Sequence, residues 1–313
     1  MPSEPSSQPA DTTGAAPTVR VLVAGASGMI GTELCRQLEE QGHTVLRLVR
    51  RAPQAAGEFA WDPRARIIDA ALMDRADAVV NLSGASLSRL PWTPAYRRRI
   101  LDSRLRSTLT LTDAMRMATR PPAVFLSASA VGVYGNQPGR SLDETARAGS
   151  DFLAGVVRRW EAAAARSPDP TRTVMFRSGL VLGRTGALRP LRMLALLGLC
   201  GPIGTGAQYW PWISLYDEAA AIRHLLTSSL SGPVNLVGPT PASADRLLRS
   251  LTAGLHRPYG FPLPTRVVEL TLGDAGRQML LADQNVSADA LEGDGFAFRH
   301  HTVDQAVAWA LAR

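Results

Sequence analysis

Short apolar runs alternate with segments of helical spacing through the first two thirds of the chain. β-branched and other apolar residues predict five strands, at residues 19–24, 44–49, 78–82, 124–127 and 173–176. Ile30, Leu34 and Leu38 share one face of a helix that ends at Gly42, and further helices are predicted at 93–118 and 152–166. Strands that alternate with helices indicate βαβ units. The pattern therefore predicts an α/β fold with a Rossmann-type, doubly wound parallel sheet.

The pattern changes beyond Gly183, where Gly and Pro become frequent. Residues 217–229 still predict a helix and residues 233–237 a short strand, whereas the segment from Pro239 onward is mainly helical and is broken by prolines. We therefore divide the chain into a flexible tail (1–18), a sheet domain (19–238) with a substrate-pocket insertion near 184–213, and a small helical C-terminal cap (239–313).

Composition removes several classes of function. The chain has a formal net charge of +7, and each of its 34 Lys+Arg residues is an arginine. Because these arginines are scattered, we expect no nucleic-acid partner. No apolar run approaches the roughly 20 residues of a membrane span, and the N-terminus lacks an apolar signal core, so we expect a cytoplasmic protein without a membrane partner. Cys35 and Cys200 lie far apart and the histidines lack ligand spacing, so no metal site is predicted.

A glycine-rich loop supplies the strongest functional signal. Gly25 ends the first predicted strand, and Gly28 and Gly31 follow as the next helix begins. In this context the glycines allow a tight turn, close approach of a pyrophosphate, and close packing of helix against strand. The alternative is a glycine-rich turn without a ligand. The predicted dinucleotide contacts in this loop are Gly25, Ser27, Gly28, Met29, Ile30 and Gly31.

The end of the second strand indicates which dinucleotide would bind. An acidic residue there holds the ribose 2′-hydroxyl of NAD, but this chain has Arg50 and Arg51, whose guanidinium groups suit a 2′-phosphate. The sequence therefore predicts NADP(H), with two solvated surface arginines as the alternative. Leu82, Ser83 and Gly84 follow the third strand and are predicted to lie against the cofactor.

These motifs, in this order, resemble the extended short-chain dehydrogenases/reductases of the NAD(P)-dependent epimerase/dehydratase superfamily. The resemblance also rests on Ser127-Ala128-Ser129, on Val133-Tyr134-Gly135 and on the run from Arg177 to Gly183. Further stretches, including Trp61-Asp62-Pro63 and Ile100-Leu101-Asp102-Ser103-Arg104, are similar to one atypical subfamily of epimerase-family proteins with a small C-terminal domain of unknown function. The resemblance spans residues 19–313.

The resemblance implies a catalytic serine, a tyrosine acid/base and a lysine within Tyr-x-x-x-Lys. Ser129 and Tyr134 are the matching catalytic candidates, although their spacing is one residue longer than in sugar epimerases. The Tyr-x-x-x-Lys motif is absent: Leu153 and Val157 stand where the tyrosine and lysine are expected. An arginine such as Arg158 is a candidate source of the missing positive charge.

Two functional hypotheses stay open. The chain is an NADP(H)-dependent epimerase/dehydratase-like oxidoreductase acting on a small carbonyl, hydroxyl or sugar-like substrate, or it is a regulatory NADP(H)-binding protein that has lost turnover. Arg177 and Trp212 are the candidate substrate contacts, each with a plain structural role as the alternative. The superfamily often forms homodimers, but no residue pattern here specifies one.

Overall fold

The computed structural model describes residues 18–312, so the prediction of a flexible tail falls almost wholly outside the described residues. The strands are β1 (Arg20–Ala24), β2 (Thr44–Val49), β3 (Glu58–Ala60), β4 (Ala78–Asn81), β5 (Val124–Ala130), β6 (Ser141–Leu142), β7 (Arg172–Ser178), β8 (Leu180–Leu182), β9 (Trp212–Ser214), β10 (Gly232–Leu236) and β11 (Asn285–Val286). The helices are α1 (Met29–Glu40), α2 (Ala71–Asp74), α3 (Pro94–Met117), α4 (Phe152–Ala164), α5 (Leu188–Leu196), α6 (Leu215–His224), α7 (Ala244–Gly254), α8 (Thr265–Met279), α9 (Asp289–Gly293) and α10 (Val303–Ala312).

The central sheet has seven strands in the order β10-β7-β5-β4-β1-β2-β3, and every neighbouring pair is parallel. This confirms the predicted Rossmann-type sheet. The strand order reverses between β1 and β4. In a doubly wound sheet a crevice opens at such a point, at the carboxyl ends of the strands, and ligands bind there.

Both faces of the sheet are covered, and the sequence of β1 shows why. Val21 and Val23 pack towards α1 and α6, whereas Leu22 and Ala24 pack towards α3 on the opposite face. All four side chains are fully buried. A parallel strand with two covered faces reads as a continuous apolar run rather than an alternating one, which is the pattern that predicted this strand.

Some elements differ from the prediction. The helix expected at residues 217–229 begins earlier, because the Ser214 hydroxyl caps it by accepting from the Asp217 N–H, and it ends at His224. Strand β3 and helix α5 were not predicted. No helix among residues 18–312 combines the length and apolar character needed to cross a membrane.

The C-terminal region builds a second core around α5, α7, α8 and α10. It is joined to the sheet through Asp217, at the start of α6. The Asp217 carboxylate accepts from the N–H groups of Arg299 (2.8 Å) and His300 (3.1 Å). The His300 ring is buried, and its Nδ1 lies 2.9 Å from Ser214 Oγ and 3.0 Å from Asp217 Oδ2. This buried cluster fixes the C-terminal region against the strand edge where the crevice opens.

Candidate functional site

The turn between β1 and α1 has no room for side chains at two of its glycines. A Cβ on Gly31 would lie 2.2 Å from the Gly25 carbonyl oxygen, and Gly25 itself adopts φ +87° with a Cβ position 2.9 Å from the Leu82 carbonyl carbon. Gly28 and Ser27 form the exposed crest of the turn. No side chain caps α1, so its first N–H groups are open to an anion. These residues therefore fit a dinucleotide pyrophosphate.

The loop after β4 lies directly beside this turn. Leu82 N–H donates to the Ala24 carbonyl (2.8 Å), and Ser83 N–H donates to Asn81 Oδ1 (3.1 Å). The loop of Leu82, Ser83 and Gly84 and the glycine turn thus lie side by side, at the point where the strand order reverses. One cofactor could contact both segments there.

The two arginines after β2 differ in their surroundings. Arg51 forms an ion pair with Glu58 at 2.6 Å and also donates to the Ala52 carbonyl. Hydrogen bonding to Arg51 holds the pKa of the Glu58 carboxyl down at about 2. Arg50 is exposed and forms no ion pair with any residue that the structure describes. Of the two, Arg50 therefore carries the guanidinium that is free for a phosphate.

The predicted catalytic hydroxyls lie in a buried network. Tyr134 is fully buried; its hydroxyl donates to Asn235 Oδ1 (2.8 Å) and accepts from Arg177 Nη1 (3.0 Å). Ser129 is 3% exposed, and its hydroxyl donates to Glu161 Oε1 at 2.6 Å. Burial raises the pKa of Tyr134, and the Arg177 charge offsets part of this rise. Both hydroxyls face protein partners rather than open space.

Arg177 joins the two halves of this network. Its Nε and Nη2 donate to the two carboxylate oxygens of Glu161 at 2.8 and 3.0 Å, which is a bidentate pairing. Burial lowers the pKa of Arg177, but the hydrogen bonds and charge interactions with Glu161 and Tyr134 together outweigh burial and raise that pKa. The structure therefore places Arg177 in an internal ion pair and not on the cavity described below.

Trp212 is also internal. It is 1% exposed, its Nε1 donates to the Thr240 carbonyl (2.9 Å), and its ring covers Gly238 so closely that a Cβ there would be 2.7 Å away. Its neighbours Trp210 and Pro211 line the cavity instead. Trp212 itself does not line this cavity, and its role as a substrate contact stays a prediction.

A cavity of about 160 Å³ lies at the carboxyl edge of the sheet, between β5, β7, α4 and the C-terminal region. Its lining is mostly apolar, with a few polar groups. The lining residues are Leu87, Arg104, Ala130, Val131, Gly132, Leu153, Val156, Val157, Trp160, Ser178, Gly179, Leu180, Trp210, Pro211, Gln278, Met279, Ala282 and Gln284. Leu153 and Val157 thus border it at the positions where the resemblance places a tyrosine and a lysine. Arg158 is exposed on α4 and does not line it.

A buried carboxyl group lies behind one wall of this cavity. The Ser178 hydroxyl donates to Glu218 Oε1, while Glu218 Oε2 is buried without a hydrogen-bond partner in the described structure. Glu218 is fully buried, and desolvation raises the pKa of its carboxyl to about 8. A neutral carboxylic acid therefore stands behind a serine on the cavity wall. Spacing did not single out Ser178 or Glu218, although Ser178 falls within the motif that begins at Arg177.

No group of three or more His, Cys, Asp and Glu side chains that could hold a metal ion occurs within residues 18–312. Both cysteines are buried and unpaired, and burial raises the pKa of each thiol. The polar groups that the structure does bring to the site are those of the glycine loop, the exposed Arg50 and the polar residues of the cavity.

Comparison with known proteins identifies the families that this chain matches and a similar relative. Residues 21–238 match the NAD dependent epimerase/dehydratase family, and residues 263–310 match a domain of unknown function, DUF1731. An epimerase family protein of Mycobacterium leprae is 38% identical over 296 residues, covering 94% of this chain and 96% of its own length.

Two solved structures are similar over most of the chain. The human epimerase family protein SDR39U1 (isoform 2), crystallised with NADPH, has a TM-score of 0.85 at 33% identity and covers 94% of this chain and 99% of its own. A nucleoside-diphosphate sugar epimerase from Corynebacterium glutamicum has a TM-score of 0.77 at 31% identity, over 94% of this chain and 58% of its own.

Proposed function

The chain belongs to the NAD dependent epimerase/dehydratase family, and from that membership we propose that it is an NADP(H)-binding oxidoreductase, epimerase-like in fold, that acts on a small carbonyl or hydroxyl compound. The glycine turn would hold the pyrophosphate, Arg50 the 2′-phosphate, and the cavity at the sheet edge the substrate. When bound, the nicotinamide supplies or accepts a hydride.

The observation that carries this proposal is the side-chain-free turn before α1. A Cβ at Gly31 has no space, and the first N–H groups of α1 are uncapped, which together form a cradle for phosphates. Arg50 extends the positive charge to the end of β2. The human relative, crystallised with NADPH, supports the same choice of cofactor.

The proton would come from the cavity wall and not from Tyr134. Ser178 lines the cavity and is hydrogen-bonded to Glu218. With the carboxyl proton on the oxygen that faces Ser178, this hydrogen bond would run from Glu218 to the serine oxygen. The Ser178 hydroxyl would then pass its proton to a substrate oxygen while it takes the proton of the carboxyl group. A carboxyl with a pKa of about 8 still carries its proton at neutral pH, as a general acid must.

Titration calorimetry with NADPH and NADH tests cofactor binding and selection. We expect the wild type to prefer NADPH and Arg50→Ala to lose about tenfold or more in NADPH affinity with little change for NADH, because one charge-assisted contact is lost. Arg51→Ala is the matched control, since Glu58 already holds that side chain. Failure to bind either dinucleotide would overturn the proposal, and equal affinity for both would refute the role of Arg50.

Single-turnover oxidation of NADPH with a panel of small carbonyl compounds tests the chemistry. If Ser178 is the proton donor, as we propose, Ser178→Ala should slow hydride transfer about 100-fold or more. If the donor is instead the pair that the family resemblance implies, Ser129→Ala or Tyr134→Phe should cause that loss. A loss confined to the Ser129 and Tyr134 variants, at unchanged stability, would refute the role of Ser178.

A second candidate function is supported by one observation. The cavity has no tyrosine or lysine among its lining residues, and Tyr134 is sealed within a hydrogen-bonded network. A protein that binds NADP(H) to report its level would keep the cradle and lack turnover. Tight NADPH binding with no hydride transfer across the carbonyl panel would favour this alternative.

A further inference from the structure

One cation lines the cavity, and it comes from α3. The Arg104 guanidinium lies over the Trp160 ring, 5.0 Å from its centroid, and Nη1 donates to the carbonyl oxygens of Ala85 and Ile100, both at 3.1 Å. It also packs on the loop after β4, where its Cζ lies 3.3 Å from the Cβ position of Gly84. Arg104 is therefore held in one place by backbone and ring contacts.

Arg104 has no counter-ion among the described residues. The nearby acid on the same helix, Asp102, pairs with a different arginine: its Oδ2 lies 3.8 Å from Arg106 Nη2. Arg104 is half-buried, whereas Arg177, a buried arginine near the sheet edge, has a bidentate carboxylate partner. Desolvation lowers the pKa of Arg104 to about 10, and an interaction with Tyr96 offsets only part of that change. Removing a cation from water is costly unless an anion accompanies it, and none of the residues that line the cavity is acidic.

The remaining polar groups of the cavity are neutral. Gln278 Oε1 accepts from the Leu153 N–H (3.0 Å), and Gln284 Nε2 donates to the carbonyl oxygens of Val131 and Gly135. These amides join the start of α4 and the loop after β5 to the C-terminal region. Because both are neutral, they do not cancel the positive charge of Arg104.

We do not assign the charge of Arg104 to the pyrophosphate of the cofactor, because no residue of the 25–31 turn lines this cavity. On α4, the apolar Val157 lines the cavity at the position where the resemblance places a lysine. The positive charge at this cavity therefore comes from Arg104 on α3 and not from α4.

We propose that the cavity binds a small organic anion and that Arg104 holds its carboxylate or phosphoryl group. This inference rests on the proposed function and narrows its substrates to anionic carbonyl or hydroxyl compounds. A volume of about 160 Å³ limits them to small molecules. The planar guanidinium suits both kinds of anion, because its fixed donors match two oxygens at once.

The test uses inert probes, so it has a readout other than activity. Titration of the NADPH-loaded protein with oxamate, with its neutral analogue oxamide, and with inorganic phosphate measures which group is held. We expect an anion, oxamate or phosphate, to bind about tenfold or more tightly than oxamide, and Arg104→Gln to abolish that preference while the NADPH dissociation constant changes less than about twofold. The relative affinity for oxamate and phosphate distinguishes a carboxylate from a phosphoryl substrate.

Arg106→Gln is the matched control, because this arginine is exposed on the same helix two residues further along. Arg104→Lys keeps the charge and is expected to recover part of the anion affinity. Should Arg104→Gln fail to fold, Arg104→Lys takes its place, and thermal unfolding of the NADPH-loaded wild type compares oxamate with oxamide at equal concentration; we expect oxamate to raise the midpoint more, because a ligand that binds the folded state stabilises it.

Three outcomes would overturn the inference. Equal binding of oxamate and oxamide would show that the cavity does not select anions. Undiminished oxamate or phosphate binding by Arg104→Gln would place the anion elsewhere. A loss of NADPH affinity in Arg104→Gln would assign the guanidinium to the cofactor. By contrast, if the wild type binds no NADPH but its midpoint still rises with oxamate, and Arg104→Gln loses that rise, the proposed cofactor fails and the anion site stands.

Discussion

Tyr134 shows how far a motif can and cannot locate a functional side chain. The order Ser129, Tyr134, Gly135 indicates the end of a strand, and the structure does place Ser129 near the end of β5 and Tyr134 and Gly135 just after it. Their hydroxyls nevertheless point to Asn235, Arg177 and Glu161, which are distant in sequence. No local pattern contains those partners, so the catalytic role of Ser129 and Tyr134 stays a prediction that the buried geometry does not favour.

Tyr134→Phe measures what this hydroxyl contributes. The substitution removes two hydrogen bonds and leaves Asn235 Oδ1 without a donor in a buried position. We therefore expect a loss of about 1–3 kcal/mol in unfolding free energy by urea titration, with NADPH affinity unchanged. Tyr209→Phe, at an exposed tyrosine, is the control and should leave stability within about 0.5 kcal/mol. Unchanged stability together with lost turnover would restore the catalytic assignment.

Glu218 makes stability depend on pH in a defined direction. Its pKa is raised from 4.5 to about 8 by burial, so the folded state holds a proton that the unfolded state releases. Below pH 4.5 the carboxyl is protonated in both states and adds no pH dependence, and stability falls as pH rises from there to about 8, by at most a few kcal/mol. Above pH 8 the effect levels off.

Glu218→Gln imitates the neutral acid and removes this titration. Relative to wild type, we expect the variant to gain unfolding free energy progressively between pH 5 and pH 8, as measured by urea unfolding at several pH values. Groups that titrate in both proteins cancel in this difference. A difference that does not change with pH would show that the carboxyl is ionised in the folded protein.

At the scale of elements, local chemistry predicted most of the sheet. Strands β1, β2, β4, β5, β7 and β10 are apolar runs long enough to be recognised, whereas β3 is a three-residue edge strand whose ends, Glu58 and Ala60, are not buried. The pairing of β8 with β9 joins segments separated by the whole insertion, and only tertiary packing specifies it. Arg104 lies in a stretch that supported the family resemblance, but helical spacing alone could not show that it faces a cavity.

Substitution by alanine should change stability in opposite directions at two helical glycines, Gly31 in α1 and Gly155 in α4. Gly31→Ala places a Cβ 2.2 Å from the Gly25 oxygen, so the turn must distort and we expect both stability and NADPH affinity to fall. Gly155→Ala, within α4, meets no atom within 4 Å and should stabilise the protein by about 0.5–1 kcal/mol. Thermal unfolding with and without NADPH measures both. A tolerated Gly31→Ala would mean that the turn does not require close packing.

At the scale of the whole molecule, the comparisons confirm the Rossmann-type fold and the family resemblance, including the C-terminal domain of unknown function. The C-terminal region is bonded to the sheet through Asp217 and His300 and supplies Gln278, Met279 and Gln284 to the cavity wall. The cavity at the sheet edge therefore depends on both parts of the chain.

This shared wall predicts one cooperative unfolding transition. Because the buried cluster at Asp217 and His300 couples the two cores, we expect calorimetric and van't Hoff enthalpies of unfolding to agree, and NADPH to raise a single midpoint. His300→Ala should lower that midpoint by removing the buried ring from the cluster. Two resolved transitions, with NADPH shifting only one, would show instead that the C-terminal region unfolds independently.

The late position of the cavity wall in the sequence sets an order of assembly during synthesis. A ribosome releases the glycine turn, β2 and the loop after β4 early, whereas Gln278 and Gln284 emerge only after every strand of the central sheet has been made. Domains generally begin to fold from the N-terminus as they are made. The nascent chain would thus acquire its nucleotide-binding turn well before it can enclose a substrate, and an interrupted product would retain the former without the latter.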